Sequence, residues 1–375
     1  MSDFPRTEFE TRTEKAQALM QADALDALLF CTEAEIRYFT GFRTLFWQSP
    51  TRPWFLILPR SGQPIAVIPE IGAELMRKTW VEDIRTWPAP RPRDDGVSLL
   101  VDALRGYRGI GLPMGEEASL RMPLLDFETL RSRLYTQFRN CTALVKALRM
   151  IKSSTEIALI REICAIGSAA FARAPELFHR GQHLTDVFRV FKIALLEAGA
   201  EDVPYLVGGA GPGGYGDIIS PPSRTPLAIG DVLMLDTGAC RNGYYCDFDR
   251  NFAIERADPM AERAHRQLWQ ATEAALHSAR PGMRACDLFD VMYQSLEGRG
   301  SAVGRFGHGL GMQLTEWPSL SAADDTVLAE NMVITLEPSL AIDDKRMMVH
   351  EENILITDGR PMLLTKRAPP ELPVL

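Results

Sequence analysis

The sequence is short of the two residues that build most zinc sites and disulfide scaffolds. Its 375 residues include six cysteines and six histidines. Cys31, Cys141, Cys164, Cys240, Cys246 and Cys286 show no Cys-x-x-Cys spacing and are too sparse for a disulfide framework, so reduced thiols in a cytoplasmic protein are expected. No apolar run reaches the roughly 18 residues of a membrane span. The opening MSDFPRTEFETRTEK puts acidic and polar residues where a secretory signal needs an apolar core, which also predicts a cytoplasmic location and no membrane partner. Basic residues are outnumbered, 41 Lys and Arg against 49 Asp and Glu, for a formal net charge of −8. That balance argues against a nucleic-acid partner. With so few histidines, any metal site must lean on carboxylates.

What is present is an ordinary globular composition, 46% apolar and 24% charged, on a length that suggests two domains or one large one. Residues 13–144 alternate helical and strand-like segments: a helix near 15–23, then strands at 27–30, 54–58 and 64–68. The three prolines of RTWPAPRPRDD predict a loop over 85–95 inside that α/β unit, after which 99–106 and 109–112 resume the rhythm. Near 148–154 the pattern changes to a long amphipathic helix. Ser153 and Glu156 have capping-box spacing, and Ile157, Ile160, Ile163 and Cys164 recur at helical intervals toward Phe178. Two domains are expected on this basis, 1–148 and 149–375. Further helices are predicted near 260–279 and 284–297.

The chemistry is carried by acids embedded in strands. VLMLDTGACRNGYYCD reads as a hairpin turned by Asn242-Gly243, the strongest short hairpin signal. A two-residue turn pairs Arg241 with Tyr244 and Gly238 with Asp247, which puts Asp236 and Asp247 on one face within reach of a shared cation. Acids at the ends of a solvated hairpin are common, but Asp236 ends the apolar run VLML, where a carboxylate is costly to bury without a partner. A second pair follows: Glu337 ends the strand at 332–336, and Glu351 lies in the strand at 349–357. Between the pairs, RFGHGLGM flanks His308 with glycine on both sides, so the backbone can approach closely and the imidazole is unobstructed. His179, His183, His265 and His277 lie on or beside helices and read as structural. Four carboxylates and one imidazole suit two divalent ions of the Mn²⁺, Fe²⁺, Co²⁺ or Zn²⁺ kind, with Mn²⁺ favoured.

These residues resemble the pita-bread metallohydrolases that include prolidase, aminopeptidase P, methionine aminopeptidase and creatinase. Asp236 stands in a D-x-G pattern, Asp247 in D-x-x-R-x-F with Arg250 and Phe252, and His308 in G-H-G-x-G. Glu337 stands in T-x-E-P and Glu351 in HEENILIT, while LRMIKSSTEIALIREI and EIRYFTGF resemble the creatinase, prolidase and aminopeptidase P branch. The resemblance implies an α+β protein: a C-terminal pita-bread catalytic domain and a smaller N-terminal α/β creatinase-like domain. It implies Asp236, Asp247, His308, Glu337 and Glu351 as ligands of two divalent metal ions that bridge a hydroxide, Glu337 as the catalytic proton shuttle, and a homodimer. The expected reaction is hydrolysis of the C–N bond of a small peptide or amide, as in an Xaa-Pro peptidase.

The pattern also departs from the peptidase members. Gly304 stands where a histidine is expected four residues before His308, and Thr315 replaces the histidine of H-E-x-P, although Glu316 and Pro318 are kept. No histidine occurs in 208–223, where one is expected near Ile219, and Val349 replaces an arginine two positions before Glu351. Each lost oxyanion donor costs on the order of 10²–10³ in rate, so substrate contacts must be rebuilt. Tyr205, Tyr215, Thr315, Glu316, Trp317 and His350 are the candidates. Trp47 belongs either to a loop closing on a site or to a dimer contact. Two alternatives stay open: a creatinase-like hydrolase or lyase acting on a small osmolyte-like or guanidino compound, and an inactive binding protein on the same fold.

Overall fold

The computed structural model describes residues 4–49, 53–300 and 304–375. They form two compact units, Met1–Arg149 and Met150–Leu375.

The first unit carries a six-stranded mixed sheet in the order β4-β3-β2-β1-β5-β6. Its strands are β1 (Ala27–Phe30), β2 (Phe55–Pro59), β3 (Ile65–Pro69), β4 (Asp83–Trp87), β5 (Gly109–Leu112) and β6 (Gln137–Asn140), and its helices α1 (Arg6–Ala22), α2 (Glu33–Thr40), α3 (Ala73–Met76), α4 (Val97–Leu104), α5 (Leu124–Arg133) and α6 (Thr142–Met150). The central strand β1 is buried throughout and runs antiparallel to β2 and parallel to β5, which is why it reads as an unbroken apolar run. Leu100, Val101 and Leu104 of α4 pack on Ile57, Val67 and Ile110 of the sheet.

Three expectations for this unit need amendment. Helix α1 starts at Arg6 rather than near residue 15, because its buried face includes Arg12, whose guanidinium lies 4.2 Å over the Tyr38 ring instead of an apolar side chain. The segment 85–95 is not all loop: Asp83–Trp87 pairs in parallel with β3, and the chain leaves the sheet only at the prolines. DIRTW has no apolar run to announce it as a strand. Trp47 is buried, 5.7 Å from Trp54 and under the Arg121 guanidinium, so it is not an exposed aromatic.

The second unit repeats one plan, a helical layer followed by a sheet. Helix α7 (Ser154–Ala172) opens on the complete Ser153–Glu156 capping box. It stops short of Phe178 because Arg173 breaks the run and Pro175 starts a separate turn, α8 (Ala174–Leu177), before α9 (Leu184–Glu197). The first sheet joins β7 (Asp202–Pro212), β8 (Asp231–Arg241), β9 (Tyr244–Tyr245) and β10 (Phe248–Ala253). Helices α10 (Pro259–Ser278) and α11 (Ala285–Ser295) lead into the second sheet. It contains β11 (His308–Gly309), β12 (Glu316–Ser319), β13 (Val333–Leu336), β16 (Glu352–Leu355) and β17 (Met362–Leu363), with β14 (Ser339–Ala341) and β15 (Met347–Val349) as a separate hairpin. Leu268, Ala271 and Ala275 of α10 pack with Ile334, Leu336 and Ile354 of this sheet. All six cysteines are free.

Candidate metal centre

Local turn chemistry places the first two acids. Asn242 and Gly243 both take positive φ, 49° and 69°, as the two-residue hairpin turn requires. That turn fixes Arg241 opposite Tyr244, and the same register continues into Thr237 opposite Phe248 and Asp236 opposite Asp249. Residues opposite one another in an antiparallel pair share a face, so Asp236, Asp247 and Asp249 all project from one side of the sheet. In the second sheet Leu336 pairs with Glu352, and one step further Glu337 stands opposite Glu351.

His308 enters from β11, wedged between β12 and β13. A Cβ on Gly307 would fall 2.2 Å from the Thr335 carbonyl oxygen and one on Gly309 would fall 1.8 Å from that of Trp317, so only glycine allows this approach. The His308 Nδ1–H donates to the Gly309 carbonyl at 2.9 Å. That bond orients the ring so that Nε2 faces Asp247 Oδ2 at 3.3 Å, a contact that either an imidazolium proton or a bound metal ion satisfies.

Asp247, His308 and Glu351 are buried, and one ligand atom of each lies within 4.8 Å of the others. Asp236 Oδ1, Asp247 Oδ1 and Glu351 Oε1 are buried without a hydrogen-bond partner among the described residues. Burial, and then the neighbouring carboxylates, push Asp236, Asp247 and Glu351 well above the usual carboxylate range. Glu337 is also raised, chiefly by burial, with His308 and the Arg305 guanidinium pulling the other way. Such a set of acids is self-repelling alone, and a bound divalent cation reverses that balance. Oxygen-rich ligation with one imidazole nitrogen fits a first-row divalent ion.

Comparison with known proteins matches residues 158–358 to the model of metallopeptidase family M24, and residues 12–151 to that of the creatinase/prolidase N-terminal domain. The chain belongs to metallopeptidase family M24. It is a metal-dependent hydrolase on the two-domain α+β, pita-bread architecture of that family. It is 27% identical over 346 residues to a probable dipeptidase PepE of Mycobacterium tuberculosis, covering 91% of this chain and 90% of the relative. It is 25% identical over 370 residues to the Xaa-Pro dipeptidase of Pyrococcus furiosus, covering 95% and 97%. Among solved structures, dipeptidase PepE from Mycobacterium ulcerans superposes with a TM-score of 0.86 at 25% identity over 99% of both chains.

The six candidate substrate contacts of this M24 protein separate by position. Tyr205 stands opposite Gly238 and leans over it; its hydroxyl reaches the Asp236 carboxyl and senses all four carboxylates of the cluster. Thr315 is half-buried, with its Oγ1 3.4 Å from a guanidinium nitrogen of Arg305. The other four are engaged elsewhere. Tyr215 is buried, with its hydroxyl donating to Asn251 Oδ1 at 3.0 Å and accepting from the Val349 N–H at 2.7 Å. Glu316 is buried against Lys152 at 3.2 Å, and Trp317 is buried in β12 next to Gly309. His350 projects from the face opposite Glu351, with Nε2 3.0 Å from Arg367 and 3.6 Å from Glu352; burial pushes its pKa down to about 4.

Several residues position the acids although the sequence-based expectation gave them no such role. Asp249 Oδ1 accepts the Glu351 N–H at 2.6 Å, and Asn353 Oδ1 accepts the Asp247 N–H at 3.0 Å. Arg250 donates to the Glu351 carbonyl at 2.9 Å and to Glu352 at 2.9 Å. Asp249 was detectable: in DFD the two acids are two residues apart in a strand and must share a face. Arg305 and Lys152 gave no comparable signal, because their partners lie ten and 164 residues away.

Proposed function

We propose that Asp236, Asp247, His308, Glu337 and Glu351 hold two divalent cations, Mn²⁺ first among Mn²⁺, Co²⁺, Fe²⁺ and Zn²⁺, and that the chain hydrolyses short peptides of the Xaa-Pro dipeptide class. The observation that carries this reading is the buried cluster of Asp247, His308 and Glu351, with Asp236 against Asp247 and one carboxylate oxygen of each of the three acids without a hydrogen-bond partner among the described residues. When bound, the ions would supply Lewis-acid polarisation of the scissile carbonyl and a water acidic enough to lose a proton near neutral pH. The residues do the rest. Glu337 keeps an edge toward solvent beside the cluster, a position from which its carboxylate can take a proton from the attacking water and return it to the leaving amine. Tyr205 is held neutral by burial and the surrounding acids, so its hydroxyl remains a donor toward charge developing on the carbonyl oxygen.

Thr315 stands in place of one expected histidine, and Arg305 follows Gly304, which stands in place of another. A guanidinium that acts on both Asp247 and Glu337 is placed to stabilise negative charge developing on the carbonyl oxygen of a substrate. The catalytic work is assigned to 149–375, with 1–148 as the creatinase-like domain. A cytoplasmic homodimer is part of the same reading, on the ground of the family resemblance.

The test is chelation followed by reloading with each of the four metals, with Xaa-Pro dipeptides and matched proline-free dipeptides as substrates. The expected result is activity that disappears on chelation, returns with Mn²⁺ and prefers proline. Absence of hydrolysis with every metal would overturn the proposal.

A further inference from the structure

Asp247 leads into β10 of the first sheet and Glu351 into β16 of the second, and these two strands are not backbone-paired among the described residues. Side chains join them instead. Asn251 Nδ2 donates to the Val349 carbonyl at 2.8 Å, and Asp249 Oδ1 accepts the Glu351 N–H at 2.6 Å. The Asn353 carboxamide then takes both backbone groups of Asp247. The rungs set 251, 249 and 247 against 349, 351 and 353, every second residue on each chain and in opposite directions, as the period of two extended segments requires. Two of the side chains come from β10 and the third from β16, so each strand grips the other.

The last rung answers a need of the backbone. Pairing of β10 with β8 starts at Phe248, which leaves the N–H and carbonyl of Asp247 outside that ladder. Buried backbone groups must find partners, and a carboxamide offers an acceptor and a donor side by side. Asn353 is wholly buried; its Oδ1 accepts the Asp247 N–H at 3.0 Å and the Cys164 thiol at 3.3 Å, while Nδ2 donates to the Asp247 carbonyl. Asn251 is just as fully engaged. Its Nδ2 also reaches Asp249 Oδ2 at 3.1 Å, and its Oδ1 accepts the Tyr215 hydroxyl at 3.0 Å. Tyr215 thus stands behind the rung that Asn251 makes.

We propose that Asn251 and Asn353 are positioning residues of the metal centre: together with Asp249 they set the separation of Asp247 and Glu351. Ligand atoms of those two acids and of His308 lie within 4.8 Å of one another, so a small slip of one strand past the other changes the geometry offered to a cation. Both carboxamides are spent on the rungs and act through the acids, not as ligands themselves. Groups that orient metal ligands in this way carry about 10–100-fold of metal affinity. The inference rests on the reading of these acids as metal ligands.

The experiment titrates Mn²⁺ into the full chain by calorimetry and by electron paramagnetic resonance, with urea midpoints taken on the same metal-free samples. Asn251→Leu and Asn353→Leu keep the side-chain size and remove the hydrogen bonds. Each should lower Mn²⁺ affinity by about 10–100-fold and replace the coupled signal of a Mn²⁺ pair by that of separate ions. Tyr215→Phe removes only the hydroxyl behind Asn251 and should lower affinity by about threefold, which keeps the test standing if a leucine variant does not fold. Leu288→Ala, at a buried position of α11, an element that contributes no rung, should lower the urea midpoint and leave Mn²⁺ affinity unchanged. Wild-type affinity in the rung variants that fold, or an equal loss of affinity in Leu288→Ala, would overturn the proposal. A wild-type chain that binds no Mn²⁺ would instead overturn the underlying reading of the acids.

Discussion

The ion pair between Lys152 and Glu316 gives the sharpest energetic prediction. Both side chains are almost wholly buried, 1% and 2% exposed, with Nζ and Oε2 3.2 Å apart. At an effective dielectric of about 20, that separation of 3.2 Å corresponds to roughly 5 kcal/mol of attraction, most of which offsets the cost of removing two charges from water. The net worth of the pair is therefore small, while breaking it by one substitution is costly. Lys152→Met should destabilise the protein by about 3–5 kcal/mol, because it removes the ammonium that compensates a buried carboxylate. Glu316→Gln keeps an acceptor for the Gln313 N–H, now 3.1 Å from Oε1, yet strands the ammonium and should cost a similar amount. The double variant removes both charges and should recover most of the loss. Urea unfolding of the four proteins at pH 7 closes the cycle. A single-variant loss below about 1 kcal/mol, or simple additivity, would refute the view that this pair is buried and coupled.

Other predictions follow from the same contacts. Asp249→Ala removes the acceptor of the Glu351 N–H, and apparent Mn²⁺ affinity measured by titration should fall by roughly 10–100-fold with the circular dichroism spectrum unchanged. His265 has a folded pKa below its ordinary value, so the unfolded chain takes up the proton first; this contribution to stability is present above about pH 6.5 and is lost as the pH falls through the folded value. His265→Phe should flatten the part of the stability profile that falls away below about pH 6.5, as followed by urea midpoints.

Much of the site was legible because short-range rules fixed it. Asn242-Gly243 set the register of the first hairpin, and that register alone brought Asp236 and Asp247 to one face. The glycines around His308 announced a close backbone approach, and the distances to the Thr335 and Trp317 carbonyls show why no side chain is tolerated there. Candidate substrate contacts were harder, because closeness in sequence was taken for closeness in space. His350 is next to Glu351, yet a strand's two-residue period sends it to the opposite face, into the cluster of Arg367 and Glu352. Glu316 kept its place in the family pattern, but its partner Lys152 is 164 residues away and no local pattern connects them. The polar edge strand β4 lacked the apolar run that marks a strand, and Arg12 inside the buried face of α1 hid that helix's first turns.

The most direct test of the five-residue metal centre is metal stoichiometry after equilibration with Mn²⁺ and removal of free ion, compared between the wild-type chain and His308→Ala and Asp247→Ala. The centre described here predicts two ions per wild-type chain and one or none in each variant, with the fold preserved by circular dichroism. A wild-type chain that retains no ion, or variants that retain as many as wild type, would contradict it.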